Sequence, residues 1–316
     1  MATAHKGDAR ESKRAVLAAF AANIGIAVMK FAAFAFTGSS SMLSEAIHSV
    51  ADAGNQGLLL IGRARARRPP DAQHPFGYGP LRYFYAFIVA VVLFLMGGIF
   101  SMYEGLDKIR HPHELDGLGW AIAVLFGAMV MEALSFRTGV GEANVVRPDG
   151  ESWWQFIRRT KNPDLPVVLL EDTAALIGLA LALLGVTLAA VTGNARWDGA
   201  GSLAIGALLV VVAVVLVIEM SSLLVGESAR PEVVDRLRAT IEAFPSVLRC
   251  IHLRTEHLAP DEIVVAAKVE FDHALSVREL AANIDQLEVE LRAAEPNATL
   301  IFIEPDVYRD EAAEPS

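Results

Sequence analysis

The residues of this chain that could do chemistry are concentrated in one otherwise apolar stretch, SSMLSEAIHSVADAGNQGLLLIG. Glu45, His48, Asp52 and Asn55 follow one another at spacings of three, four and three residues, which places all four on one face of a helix. His48 and Asp52 can therefore direct an imidazole nitrogen and a carboxylate at one ion, a pair suited to zinc or another first-row metal. In a soluble helix such a pair is more often a salt bridge, so its meaning depends on what surrounds the helix.

The surroundings of this helix are predicted to be lipid. Hydrophobic residues make up 53% of the 316 residues, and six apolar stretches approach or exceed the roughly 20 residues that a spanning helix needs. These stretches lie at about 15–36, 40–61, 83–103, 118–136, 166–191 and 199–222. Because lipid offers the backbone no hydrogen-bond partners, we expect six helices in an all-α bundle. An ionisable group inside such a helix costs roughly 2.5–3.5 kcal/mol, which favours a transport or relay role for the polar face.

The loops predict the orientation, because Lys and Arg are retained on the cytoplasmic side of a membrane. The basic residues lie mainly before the first helix, between the second and third, and between the fourth and fifth. Both termini are therefore expected in the cytoplasm. The polar start and the long first apolar run predict no cleaved signal peptide and an integral protein of a bacterial cytoplasmic membrane.

The fifth apolar stretch, PVVLLEDTAALIGLALALLG, carries two adjacent carboxylates near its start, Glu171 and Asp172. Neighbouring residues of a helix point about 100° apart, so only one of the two should face the second helix easily. The other is expected at a different helix, at a water-filled entrance or in proton transfer. Asn23 in the first helix lies at a similar depth and could supply a carbonyl oxygen or a hydrogen bond between helices.

The last third of the chain loses its apolar character and is predicted to fold as a small two-layer α+β domain. The order is α-β-β-α-β, with helices at 231–244 and 276–294 and strands at 250–258, 262–271 and 299–304. About 80 residues are marginal alone, so pairing with a second copy as a homodimer is expected. The net charge of −10 comes largely from this region, which does not suggest a nucleic-acid partner.

We accordingly predict four parts of the chain. They are a cytoplasmic leader at 1–14, a six-helix transport domain at 15–226, a cytoplasmic α+β dimerisation or regulatory domain at 227–306, and a flexible end at 307–316. The residues 227–306 are called the C-terminal domain below. The loop DAQHPFGYGPLR within the transport domain contains Asp71 and His74, which could form a weak cytoplasmic metal-loading site. Its glycines and prolines more simply shape a tight connection between two helices.

Three features together resemble the cation diffusion facilitator family over nearly the whole chain: SSSMLSEAIHSVADAGNQ, HPFGYGPLRYFYAF and the plan of six helices and a terminal domain. FIRRTKNPDLPVVLLEDTAALIGL, RWDGAGSLAIGALL and EMSSLLVGESA resemble the zinc transporter 9-like branch, including its bacterial relatives. The resemblance implies a homodimer that alternates between inward-open and outward-open states and exports a metal as protons enter. Zinc is the expected cargo, with Mn²⁺, Co²⁺, Ni²⁺, Fe²⁺ or Cd²⁺ as alternatives, and no organic cofactor is expected.

The family's site implies two ligands four residues apart on helix 2 and two more on helix 5. His48, Asp52 and Asp172 match this pattern, whereas Val168 occupies the fourth position and has no ligating atom. The fourth ligand could be Glu171, Asn23, Glu45 or water. His48 is the natural proton acceptor and Glu171 the candidate auxiliary proton carrier.

The resemblance also implies two incomplete sites outside the membrane. In the loop, Asp71 and His74 match an acid and a histidine of the family, but Tyr78 stands where a second histidine is expected. In the C-terminal domain, Ile251 and Phe302 replace metal-binding histidines. We therefore expect weak or no metal binding there.

Two other classes of protein remain open from the sequence. A non-transporting metal-responsive membrane regulator or scaffold is favoured by the incomplete ligation on helix 5. An intramembrane metalloenzyme could hold a catalytic zinc with the same ligands, but the chain has no HExxH motif. We therefore predict a transporter and not an enzyme, with metal ions, protons and membrane lipid as its partners.

Overall fold

A computed structural model describes residues 24–112, 118–148 and 150–309. The described residues up to 225 form helices joined by turns, because a helix satisfies the backbone groups of an apolar sequence internally. The helices are α1 (Ile24–Thr37), α2 (Ser40–Ala66), α3 (Leu81–Val92), α4 (Phe100–Arg110), α5 (Leu118–Val146), α6 (Trp153–Arg159), α7 (Asp164–Thr192) and α8 (Arg196–Val225). A π-helical segment, Leu93–Ile99, joins α3 to α4 in one continuous rod.

Among the described residues, four helices are long and apolar enough to cross a membrane. They are Leu81–Arg110, Gly119–Val146, Asp164–Thr192 and Arg196–Val225, and α1 is a shorter apolar helix. With 27 residues, α2 is long enough to cross a membrane. Its polar face makes it less apolar than the four helices named above. The membrane class is thereby confirmed, while the count of six spans and the leader at 1–14, which lies outside the described residues, stay predictions.

Glycines let the rod formed by α3 and α4 approach α8 closely. A methyl group added to Gly105 would lie 2.5 Å from the Leu203 backbone nitrogen, and one on Gly206 would lie 2.5 Å from Met102. Gly98 and Gly199 lie at the same contact. Each helix therefore contributes two glycines seven residues apart, Gly98 and Gly105 from the rod and Gly199 and Gly206 from α8. Such small residues are how membrane helices gain backbone contact in the absence of a hydrophobic driving force.

The N-terminus of α2 is fixed by a side chain from α8. The buried Asp198 carboxylate accepts hydrogen bonds from the backbone nitrogens of Ser40 at 2.8 Å and Ser41 at 3.3 Å, and from the Ser39 hydroxyl at 2.7 Å. These are the orphan donors of a helix start, so Asp198 acts as a cap supplied from another helix. This cap sets where the face with Glu45 and His48 begins.

The C-terminal domain has the predicted order α-β-β-α-β. Its elements are α9 (Pro231–Glu242), β1 (Val247–Ala259), β2 (Glu262–Phe271), α10 (Val277–Ala294) and β3 (Ala298–Pro305). The sheet order is β1-β2-β3, with β1 antiparallel and β3 parallel to β2. Leu237 and Ile241 from α9 and Leu287 and Leu291 from α10 pack on one face of the sheet. This confirms the two-layer α+β prediction.

Residues 66–83, which include the loop between α2 and α3, pack with the C-terminal domain as one compact unit. The Phe76 ring meets the Phe302 ring edge-on, with centroids 6.5 Å apart. A methyl group on Gly79 would lie 2.7 Å from the Leu258 backbone oxygen, so the loop backbone runs directly against β1. The loop is therefore shaped by what it packs on as well as by its turn residues.

Candidate metal centre

The polar face of α2 is buried as the spacing predicts. Glu45, His48, Asp52 and Asn55 are all below one tenth exposed, and His48 Nδ1 lies 3.6 Å from Asp52 Oδ1. Both ring nitrogens of His48 and Oδ1 of Asp52 lack a hydrogen-bond partner among the described residues. Buried polar atoms are nearly always satisfied, so these orphaned ligand atoms fit a bound cation.

The adjacent carboxylates of α7, Glu171 and Asp172, point in different directions, and it is Glu171 that faces α2. Its Oε1 accepts a hydrogen bond from Asn55 Nδ2 at 2.8 Å, and its carboxyl group adjoins that of Asp52. Glu171 is therefore the α7 carboxylate that lies against the polar face of α2.

Asp172 lies on the neighbouring face of α7, towards α5. Its Oδ2 is 3.5 Å from the Ser135 hydroxyl, and the residue is half-buried. It borders a cavity of about 230 Å³ between α2, α5 and α7. Val168 and the ion pair of Arg63 with Asp164, at 2.8 Å, line the same cavity. Asp172 thus stands between the buried face and a space that water can enter.

The described residues contain no group of three or more His, Cys, Asp or Glu side chains already close enough to hold one ion. His48 and Asp52 lie together and Glu171 adjoins Asp52, whereas Asp172 sits apart on the cavity side. Asn23 lies outside the described residues. The complete ligand set of His48, Asp52 and Asp172 consequently stays a prediction.

Glu45 has a cationic partner that sequence spacing did not reveal. Lys30 of α1 is fully buried, and its Nζ lies 3.0 Å from Glu45 Oε2 and 2.8 Å from the Ser49 hydroxyl. Glu132 of α5 is a further buried carboxylate and is only 7% exposed. The sequence signal for this pair was a lysine in the middle of an apolar run, since a buried charge in a membrane needs a partner.

The loop residues Asp71 and His74 form a turn held by its own hydrogen bonds. Asp71 Oδ1 accepts from the Gln73 and His74 backbone nitrogens, and Oδ2 accepts from the Tyr78 hydroxyl at 2.6 Å. The Tyr78 hydrogen bond, with those from the backbone, lowers the pKa of Asp71 to about 2. The His74 ring lies against the Tyr78 ring, with centroids 4.3 Å apart. Both carboxylate oxygens are occupied, which favours the structural role of this turn.

The histidines of the C-terminal domain are separate from one another. Buried His257 shares a hydrogen bond with the Ala259 carbonyl at 3.1 Å, and exposed His273 lies 3.4 Å from Glu270. Burial raises the pKa of the Cys250 thiol, which favours the protonated form. These side chains form ordinary local pairs.

These features define a class of protein: an integral membrane protein with a buried histidine and carboxylate face inside its helices, followed by a small α+β domain. The cation efflux transmembrane domain matches residues 16–225, and the cytoplasmic domain of cation efflux proteins matches residues 229–306. The chain therefore belongs to the cation efflux family, the cation diffusion facilitators. This is a family of metal transporters, so the prediction that the chain is not an enzyme is supported by kinship.

The relatives agree with the predicted branch. The chain is 38% identical over 251 residues to the human proton-coupled zinc antiporter SLC30A9, mitochondrial, which covers 79% of this chain and 44% of the human protein. It is 27% identical over 270 residues to metal tolerance protein C4 of Arabidopsis thaliana, covering 85% of this chain and 59% of that protein. Zinc transporter ZitB of Escherichia coli is 28% identical over 123 residues, or 39% of each chain. The chain spans less than half the length of the SLC30A9 relatives that it matches.

Proposed function

We propose that this protein is a divalent metal cation transporter that carries zinc out of the cytoplasm in exchange for protons. Family membership and the printed activity of the SLC30A9 relatives support this function. The single observation that carries it is the buried face of α2, where His48 and Asp52 lie 3.6 Å apart with unpartnered ligand atoms. Mn²⁺, Co²⁺, Ni²⁺, Fe²⁺ and Cd²⁺ are the alternative cargoes.

The proposed metal site lies between α2 and α7. His48 and Asp52 supply two ligands and Asp172 the third, with Glu171 or water completing the set. Asp172 borders the cavity and Glu171 adjoins Asp52, so an ion could pass from the cavity to the α2 face after a small adjustment of α7. Such a set of imidazole and carboxylate groups suits a borderline metal.

Proton exchange follows from the chemistry of these ligands. Metal binds to neutral imidazole and to carboxylate, so a proton arriving at His48 or Asp52 competes with the ion and promotes its release. Glu171, hydrogen-bonded to Asn55 and within reach of Asp52, is the proposed carrier that delivers or removes that proton.

We propose a homodimer with residues 15–226 as the transport domain and residues 227–306 as the dimerisation or regulatory domain. The match of the second domain to its family supports this division. Both termini are proposed to face the cytoplasm, an orientation supported by the charge of the loops, and the membrane is proposed to be the cytoplasmic membrane of a bacterium. The names of the mammalian relatives place those proteins in mitochondria.

Metal flux into proteoliposomes tests the function. Purified protein should move zinc when a proton gradient is imposed, and parallel assays with manganese, cobalt, nickel and ferrous iron should define selectivity. The His48→Ala and Asp172→Ala variants should lose flux. Thr192→Ala is a matched control, because this exposed α7 hydroxyl bonds only backbone atoms near the end of its own helix, donating to the Leu188 carbonyl and accepting from the Asn194 backbone nitrogen. Zinc flux that is unchanged in both site variants would refute the site, and no flux of any metal would refute the function.

A further inference from the structure

Lys30 is the fully buried cation beside the α2 face. It lies 3.0 Å from Glu45 Oε2 and 2.8 Å from the Ser49 hydroxyl, with no exposure of its side chain. Keeping an ammonium group in a membrane helix is costly even when it is paired. A neutral pair of residues could join α1 to α2 at lower cost, so the charge itself calls for an explanation.

The Lys30 charge sits within one helical turn of the proposed ligands. Glu45, Ser49 and Asp52 follow at spacings of four and three residues and share a face, and His48 is three residues after Glu45. The Glu45 carboxylate also reaches α7, since a methyl group on Gly178 would lie 2.6 Å from Glu45 Oε1. That oxygen is buried and has no hydrogen-bond partner among the described residues. Glu45 therefore has a free oxygen at the same interface of α2 and α7 that holds Asp52 and Glu171.

We propose that Lys30 is a positioning residue that withholds Glu45 from the metal and so keeps the site weak enough to release its ion. This inference rests on the proposed transport function. The ammonium group neutralises Glu45, holds one of its oxygens and repels a divalent ion one turn away. Each further carboxylate that joins a metal site raises its affinity, because it adds an anionic oxygen. A transporter needs binding that is weak enough for the ion to leave.

Removing Lys30 should therefore improve metal binding and at the same time impair transport. Without the ammonium group, Glu45 is free to become an additional ligand beside His48 and Asp52. In Lys30→Met, we expect zinc to bind at least about tenfold more tightly, because one anionic oxygen is gained and one repelling charge is lost. The KM for zinc should fall and kcat should fall with it, since release becomes slow.

A double variant assigns the effect to Glu45. Lys30→Met with Glu45→Gln removes both charges together and should return zinc affinity, KM and kcat close to their wild-type values. Lys30→Arg keeps the charge and should also remain close to wild type. Bound Co²⁺ provides an independent readout, since its visible absorption should shift in Lys30→Met, where a carboxylate joins the metal, and shift back in the double variant.

The experiment uses full-length protein, with equilibrium zinc binding in detergent and flux in proteoliposomes. Unchanged zinc affinity in Lys30→Met would overturn the inference, as would tight binding that persists in the double variant. If Lys30→Met does not fold, Lys30→Gln retains donors for Glu45 and Ser49 but loses the repelling charge, and should show a smaller tightening. Unchanged affinity in that variant overturns the inference equally. A wild-type protein that neither binds nor moves zinc refutes the proposed function instead.

Discussion

Lys268 in the C-terminal domain has its charged partners nearby, whereas the polar face of α2 has ligand atoms without hydrogen-bond partners among the described residues. Lys268 lies 3.0 Å from Asp306 and 3.3 Å from Glu304, and these hydrogen bonds raise the pKa of Lys268. On α2, both ring nitrogens of His48 are buried and unpartnered among the described residues. Exposed pairs contribute little stability and need no further group. Buried orphaned atoms do need one, which directs attention to the membrane helices.

Removing one histidine from each region tests the difference between them most directly. His48→Ala should lower zinc flux by about 100-fold or more, because even changes to groups behind a ligand cost roughly 10–100-fold in metal affinity. His273→Ala in the C-terminal domain should change flux by less than about twofold, since exposed substitutions have small effects. Flux assays on both variants at one pH provide the measurement. Equal losses of zinc flux in the two variants would show that metal transport does not depend on the α2 face more than on the C-terminal domain.

The second prediction separates the roles of the adjacent carboxylates Glu171 and Asp172. Asp172→Asn should lower zinc flux on the order of tenfold or more by removing a ligand. Glu171→Gln should retain zinc binding but lose the dependence of flux on the proton gradient, because the group adjoining Asp52 can no longer give up a proton. Zinc uptake with and without an imposed pH gradient distinguishes the two. Proton-coupled transport that persists in Glu171→Gln would remove the proposed proton role.

The rotation of α7 marks a limit of what the sequence could predict. Adjacent positions show that Glu171 and Asp172 point apart, but which one faces α2 depends on how α5 and α2 pack around α7. The partnership of Lys30 with Glu45 is hidden for the same reason, since it joins two helices. In contrast, the burial of the α2 face and the order of the C-terminal domain follow from local periodicity, which needs no knowledge of neighbouring helices. Sequence therefore predicted which face of α2 is buried better than it predicted the partners of the residues on that face.

A third prediction concerns the loop that packs on the C-terminal domain. Gly79→Ala would place a methyl group 2.7 Å from the Leu258 backbone oxygen, and such overpacking costs roughly 1–3 kcal/mol. We expect the amides at the end of β1 to exchange hydrogen about tenfold faster, because the lost stability lowers the free energy of local unfolding there. Gly57→Ala is the control, because a methyl group there meets nothing within 4 Å. Equal exchange in the two variants would show that the close contact does not hold the loop.

The smallest effect is expected at the turn of Asp71. Tyr78→Phe removes the hydrogen bond that is the main cause of the depressed pKa, so the pKa of Asp71 should rise from about 2 towards its ordinary value of about 3.9. A carboxyl pKa lowered by folding adds stability above the unfolded pKa, and that stability is lost as the pH falls through the folded pKa. Tyr78→Phe therefore changes how stability depends on pH only in the acid range in which Asp71 titrates, and zinc flux at pH 7 should be unaltered. Titration of the labelled Asp71 carboxyl by carbon NMR measures the shift. A loss of flux at neutral pH would instead show that this turn takes part in delivering the metal. Transport would then depend on the loop as well as on the polar face of α2.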